Sequence, residues 1–352
     1  MRLLAAAALT AAGAALAAPC VTPTPACSER IAPGAGAGYT IVYRSQPLAT
    51  RNESITRALV VVHGAGRDAD SYYRSAMAAA FLAGALEDTV VVAPRFASNE
   101  KTCKDAMDAG EIVWACLPGP DSWRVGGGSR SDEKVTSFDV ADEILRKLAR
   151  RDSFPNLKLI VVAGHSAGGQ FINRYQMSSV VHETLGVPVR YVVANPSAYT
   201  YLDALRPTTG AVPADIAAGA PGYTPAIKAP APFVAFADAR HCTTYDKWPY
   251  GLADRVGYAA RVSTEQLKKQ LAERPAAFLL GELDILPLYS FDMTCAAMAQ
   301  GPTRLARGLA YVKHVNEGYG GKNAGLVIPA CGHSARCMFT SERALPLLFP
   351  ER

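Results

Sequence analysis

Residues 157–169 read Leu-Lys-Leu-Ile-Val-Val-Ala-Gly-His-Ser-Ala-Gly-Gly. The first seven are apolar at all but one position and β-branched at their centre, the mark of a strand buried on both faces. Gly164 stops it. Ser166 to Val181 then reads as a helix, so a strand, a tight turn and a helix stand in direct succession. A serine at such a turn is forced above the sheet. Small residues two before and two after it, Gly164 and Gly168, let the backbones pass closely. The helix that follows offers free N–H groups to developing negative charge.

The chain around this stretch repeats its logic. Strands are expected at 39–43, 58–63, 89–93, 189–194, 276–280 and 326–328. Helices are expected at 70–85, from Ser137, at 264–273 and at about 302–317, with a short one near the C-terminus. Continuous apolar strands alternating with helices specify an α/β class fold with a mostly parallel central sheet covered on both faces. Two irregular stretches, 95–135 and 197–262, follow strand C-terminal ends, where open α/β sheets place their sites.

A serine hydroxyl is a weak nucleophile until a base removes its proton. Downstream of Ser166 lie His241, His314 and His333, besides the histidine at 182 within the helical stretch's exit. His314 falls in a helical pattern, and His241 precedes the best acid. His333, in Ala-Cys-Gly-His-Ser after the last strand, is the expected base. The acid should end the preceding strand. Asp284 in Gly-Glu-Leu-Asp is favoured, with Glu282 and Asp292 as rivals. An oxyanion hole needs two backbone N–H groups. Ala167 supplies one, and Ala65 in His63-Gly64-Ala65-Gly66 the other, with Gly64 second and His63 structural. Trp123, Tyr199 and Trp248 sit on the irregular stretches and are candidates for substrate binding.

Composition narrows the class further. Of 352 residues 49% are apolar and 19% charged, and the net charge is +5, falling to +4 if Arg2 is removed with a leader. No basic run or aromatic-interleaved stripe suggests nucleic acid as a partner. Met1–Ala17 has a charged start, a Leu/Ala core and an Ala-Leu-Ala cleavage site, the pattern of a signal peptide. No later stretch is long and apolar enough to span a membrane. Residues 18–38 form a Pro/Ala/Gly-rich arm, and 39–352 a single domain. Eight cysteines in an exported chain argue for disulfides. Sequence nearness suggests Cys20–Cys27, Cys103–Cys116 and Cys331–Cys337, leaving Cys242–Cys295. No cysteine–histidine spacing fits a metal site.

The stretches 61–69, 162–169, 281–284 and 331–333 together resemble the α/β-hydrolase superfamily. They are most similar to secreted esterases of the polyhydroxyalkanoate-depolymerase and feruloyl-esterase kind. That resemblance implies ester hydrolysis through an acyl-enzyme, without a cofactor, on a small-molecule or oligomeric ester in a secreted or periplasmic location. No separate polymer-binding domain is visible. Two other readings stand beside it: a peptidase or amidase on the same residues, and a non-catalytic binding protein on a hydrolase fold. The last is disfavoured because every catalytic position is filled.

Overall fold

A computed structural model describes residues 18–34, 36, 38–208 and 232–351. The expected leader and the 209–231 part of the second irregular stretch lie outside these. Eight strands build the main sheet: β1 (Ser28–Ile31), β2 (Thr40–Arg44), β3 (Arg57–Val62), β4 (Thr89–Pro94), β5 (Leu159–His165), β6 (Val189–Ala194), β9 (Ala276–Gly281) and β10 (Ala324–Ile328). A separate antiparallel pair, β7 (Leu205–Pro207) and β8 (Phe233–Ala235), lies outside it. The order across the main sheet is β1-β2-β4-β3-β5-β6-β9-β10. From β4 to β10 every neighbour is parallel, and β1 and β2 add an antiparallel edge.

Alternation within strands shows why they read as unbroken apolar runs. Ala58, Val60 and Val62 of β3 join one buried cluster, and Leu59 and Val61 join the other. The first cluster packs under α2 (Ser137–Leu148), α3 (Ala167–Ser178), α4 (Thr264–Glu273) and α6 (Arg304–Tyr319). The second packs under α1 (Ala69–Leu82), α7 (Ala335–Thr340) and α8 (Leu345–Leu348). A four-residue helix, α5 (Cys295–Met298), precedes α6. Each Val or Leu side chain so buried contributes about 1.5–3 kcal/mol. The start of α2 is fixed by a reciprocal cap: Thr136 accepts from the Asp139 N–H, and the Asp139 carboxylate accepts from the Thr136 N–H.

Element ends shift from expectation by a few residues, with one larger difference. The arm at 18–38 is not wholly irregular, because Ser28–Ile31 pairs with β2 and closes the sheet edge. Its strand is four residues long and follows a Pro-rich run, too short for alternation to declare itself. The Cys20–Cys27, Cys103–Cys116, Cys242–Cys295 and Cys331–Cys337 pairs are all joined.

The strand order also locates a crevice. From β3 the chain steps to β4 on one side, then returns to β5 on the other. The connections therefore diverge at the C-terminal ends of β3 and β5, the position where such sheets bind ligands. Gly64 and Ala65 follow β3 there, and Ser166 follows β5.

Candidate active site

Ser166 stands between β5 and α3 with φ 59° and ψ −118°, a conformation few side-chain-bearing residues adopt. Its N–H donates to the Ala194 carbonyl at 2.9 Å, which locks the turn to β6. The glycines around it are required by contact. A Cβ on Gly164 would lie 2.4 Å from the Gly168 carbonyl oxygen, and one on Gly168 would lie 2.2 Å from that of Val62. The backbones pass too closely for any side chain. Ala167 opens α3, so its N–H has no acceptor within the helix and is available to a ligand.

His333 follows β10 on the loop between Cys331 and Cys337. Its Nε2 lies 2.9 Å from Ser166 Oγ and its Nδ1 lies 2.7 Å from Asp284 Oδ2. Asp284 is 3% exposed, so its charge needs partners. Its second oxygen, Oδ1, accepts from Arg304 Nη1 at 3.2 Å. Arg304 also donates to Ser197 Oγ and to the carbonyls of Leu288 and Tyr289. Asn195 ties the same region together: its side-chain oxygen accepts the Gly281 N–H at 2.7 Å, and its amide donates to the Gly332 carbonyl at 3.2 Å. The ends of β6 and β9 and the histidine loop are thus held by one side chain. The rival acids are engaged elsewhere. Glu282 accepts the Ala330 N–H, and Asp292 accepts from the Tyr250 hydroxyl and from Thr294. His241 pairs with Asp238 in an exposed position, and His314 is buried against Asp203.

On the other side of Ser166, the Gly64–Gly66 loop is fixed from beneath. His63 Nε2 accepts the Phe96 N–H at 3.0 Å, so the proton resides on Nδ1, which donates to the Gly64 carbonyl at 2.8 Å. Burial above all pushes the His63 pKa down to about 4, and the ring stays neutral at ordinary pH. Arg67 braces the loop's outer edge through the Ala65 carbonyl and Asp105. Burial would raise the Asp105 carboxyl. The Arg67 guanidinium and the Ser98 N–H outweigh that and hold it below its usual range.

Between these walls lies a cavity of about 440 Å³. Ser166, His333, Gly64, Ala65, Tyr72, His165, Tyr289, Asp68 and Arg336 are among the residues that line it. The Tyr72 hydroxyl lies 2.9 Å from His165 Nδ1. Burial, then the neighbouring His333 and Arg304, hold the His165 pKa well below its ordinary value. Tyr289 is 70% exposed and stacks on the His333 ring at 5.9 Å between centroids.

The three aromatic candidates are corrected by their placement. Trp123, Tyr199 and Trp248 are at most 4% exposed, and none lines this cavity. Trp123 stacks on Phe96 and touches His63, Tyr199 stacks on Tyr311, and Trp248 packs with Val125 and Ala259. Large rings on segments that cross the sheet end gain more from burial than from exposure, so they became core. Tyr72, Tyr289 and Arg304 were not singled out in the sequence. Tyr72 had a usable signal, since it lies in the helix directly after the Gly-Ala-Gly loop. Arg304 had none, being one of 36 Lys and Arg residues.

A strained serine after a parallel strand, hydrogen-bonded to a histidine that follows the last strand, is a family arrangement. Residues 59–345 match the Alpha/beta hydrolase family. The chain belongs to the α/β-hydrolase family. No curated protein sequence matches it significantly. Among solved structures it is similar to poly(aspartic acid) hydrolase-1 from Sphingomonas sp. KT-1, with a TM-score of 0.58 and 23% identity over 92% of this chain and 97% of that one. It is also similar to LpqC, a poly(3-hydroxybutyrate) depolymerase from Bordetella parapertussis, with a TM-score of 0.56 and 21% identity over 90% of this chain and 86% of that one. At these identities the likeness concerns the fold. In this α/β-hydrolase, the hydrogen-bonded Ser166, His333 and Asp284 can deprotonate a hydroxyl. Ala65 and the start of α3 at Ala167 border the same serine.

Proposed function

We propose that this α/β-hydrolase cleaves carboxylic esters through an acyl-enzyme on Ser166. The observation that carries the reading is the unbroken run from Asp284 Oδ2 to His333 Nδ1 at 2.7 Å and from His333 Nε2 to Ser166 Oγ at 2.9 Å. His333 takes the hydroxyl proton as Oγ attacks the carbonyl carbon. Asp284 holds the imidazole in one orientation and stabilises its charged form. The Ala65 and Ala167 N–H groups hold the oxyanion of the tetrahedral intermediate. Its collapse expels the alcohol, which takes the proton from His333. Water, deprotonated by the same histidine, then releases the acid and restores the serine. No cofactor enters this scheme.

Four disulfides and the leader-like N-terminus support export to an oxidising compartment, periplasmic or extracellular. The test of the activity is turnover of short 4-nitrophenyl esters by the wild type and by Ser166→Ala. The reading requires wild-type turnover and a loss of at least about a thousandfold in kcat for the variant. Equal rates for the two proteins would end it.

A further inference from the structure

Tyr72 lines the cavity together with Ser166, yet the scheme above gives it no part. It stands in the first turn of α1, where its N–H donates to the Asp68 carbonyl, and its side chain is buried. Gly64 records how close its hydroxyl comes. The Gly64 backbone is not left-handed, so its dihedral angles do not call for glycine. Space does: a Cβ there would lie 2.5 Å from Tyr72 Oη. The next atoms, Tyr72 Cζ at 3.4 Å and Ser166 Cβ at 3.6 Å, would be ordinary contacts. The hydroxyl alone excludes a side chain at 64. It rests against the backbone of the Gly64–Gly66 loop, one residue from the Ala65 N–H and facing the nucleophile.

The hydroxyl proton is free to act there. Tyr72 Oη lies 2.9 Å from His165 Nδ1. His165 Nε2 is fully buried with no partner among the described residues. Burial above all keeps the His165 ring neutral, so it carries one proton. On Nε2 that proton would make a buried N–H without an acceptor, the rarer defect in folded proteins. On Nδ1 it donates to Tyr72 Oη. The tyrosine O–H then has no acceptor among the described residues and is left to the cavity. Burial raises the Tyr72 pKa far above its ordinary value, so the group stays a neutral donor.

We propose that the Tyr72 hydroxyl donates a third hydrogen bond to the oxyanion formed at Ser166, beside those of the Ala65 and Ala167 N–H groups. This rests on the hydrolase reading of Ser166. Tyr72 is a catalytic residue in this account, and it keeps its proton throughout.

The test is Tyr72→Phe, which removes the oxygen and keeps the ring. Losing one oxyanion donor should lower kcat about a hundredfold on 4-nitrophenyl butyrate and leave KM nearly unchanged. A trifluoromethyl ketone, which adds to the serine and carries an oxyanion, should bind the variant weaker by a similar factor. The matching methyl ketone, which binds without that charge, should bind both proteins alike. Gly64→Ala should also lose kcat, because its Cβ displaces the hydroxyl. Added to Tyr72→Phe it should cost little more, since the clashing oxygen is gone. Should Tyr72→Phe not fold, Gly64→Ala carries the test on the same two ketones. A kcat within about threefold of wild type, equal weakening of both ketones, or full additivity of the two substitutions overturns the proposal. Absence of wild-type turnover overturns instead the hydrolase reading beneath it.

Discussion

The Arg304 guanidinium and the Asp284 carboxylate form an ion pair sealed from solvent, with side chains 0% and 2% exposed and Nη1 3.2 Å from Oδ1. Asp284 thus faces His333 with one oxygen and Arg304 with the other. Removing one member of a buried pair leaves the other charged and alone, at a cost of about 3–5 kcal/mol. Arg304→Met should lose stability on that order in denaturant unfolding. It should also lose activity beyond what its residual fold explains, since the Leu288 and Tyr289 carbonyls and Asp284 are released together. A variant as stable and active as wild type would show that Asp284 is held by other means.

Gly168 tests the sterics of the serine turn. Its hypothetical Cβ would sit 2.2 Å from the Val62 carbonyl oxygen and 2.7 Å from that of His63, both backbone atoms. Gly168→Ala must therefore push β3 and α3 apart. Forced overpacking of this kind costs about 1–3 kcal/mol. The displacement falls on the Ala167 N–H, so kcat should drop more than KM rises. Thermal melting and ester kinetics on the same preparation check both.

His63 supplies a pH dependence. Its folded pKa, about 4, lies below the ordinary value of 6.5. The unfolded chain binds this proton first as pH falls. The stability that the neutral ring contributes is complete above about pH 6.5 and is lost progressively as pH falls toward 4. The full loss is about 3 kcal/mol. Urea unfolding of wild type and His63→Gln between pH 7 and 4.5 should show their stability difference shrinking as pH falls. A difference independent of pH would contradict the neutral buried ring.

The Cys331–Cys337 bond closes a short loop that contains His333. Six residues of separation place His333 on a tethered segment, and closing so small a loop restricts chain freedom only there. Replacing both cysteines with serine should lower kcat several-fold while shifting the melting temperature little. Unchanged kcat would show that Asn195 and Asp284 position the histidine unaided.

The fold was legible because its strands are buried on both faces. Ala58–Val62, Ile160–Ala163 and Tyr191–Ala194 read as unbroken apolar runs, and the helices between them carry their own period. The serine turn was legible because the geometry admits only glycine at 164 and 168. The edge strand Ser28–Ile31 was hidden, since four residues after a proline-rich run, with only Ile31 buried, carry no period. The aromatic residues misled for a related reason: sequence marks Trp123 as lying on a loop, but not whether that loop turns its ring outward or under the sheet end. Arg304 and Asn195 act through contacts with residues 20 and 137 positions away, distances at which no local pattern survives.

Ser166 as the proposed nucleophile is tested most directly by exposure of the folded protein to a fluorophosphonate, followed by intact mass measurement and peptide mapping. A single adduct per chain is expected, carried by Ser166 and absent from Ser166→Ala. An unlabelled protein, or an adduct that persists in Ser166→Ala, would contradict it.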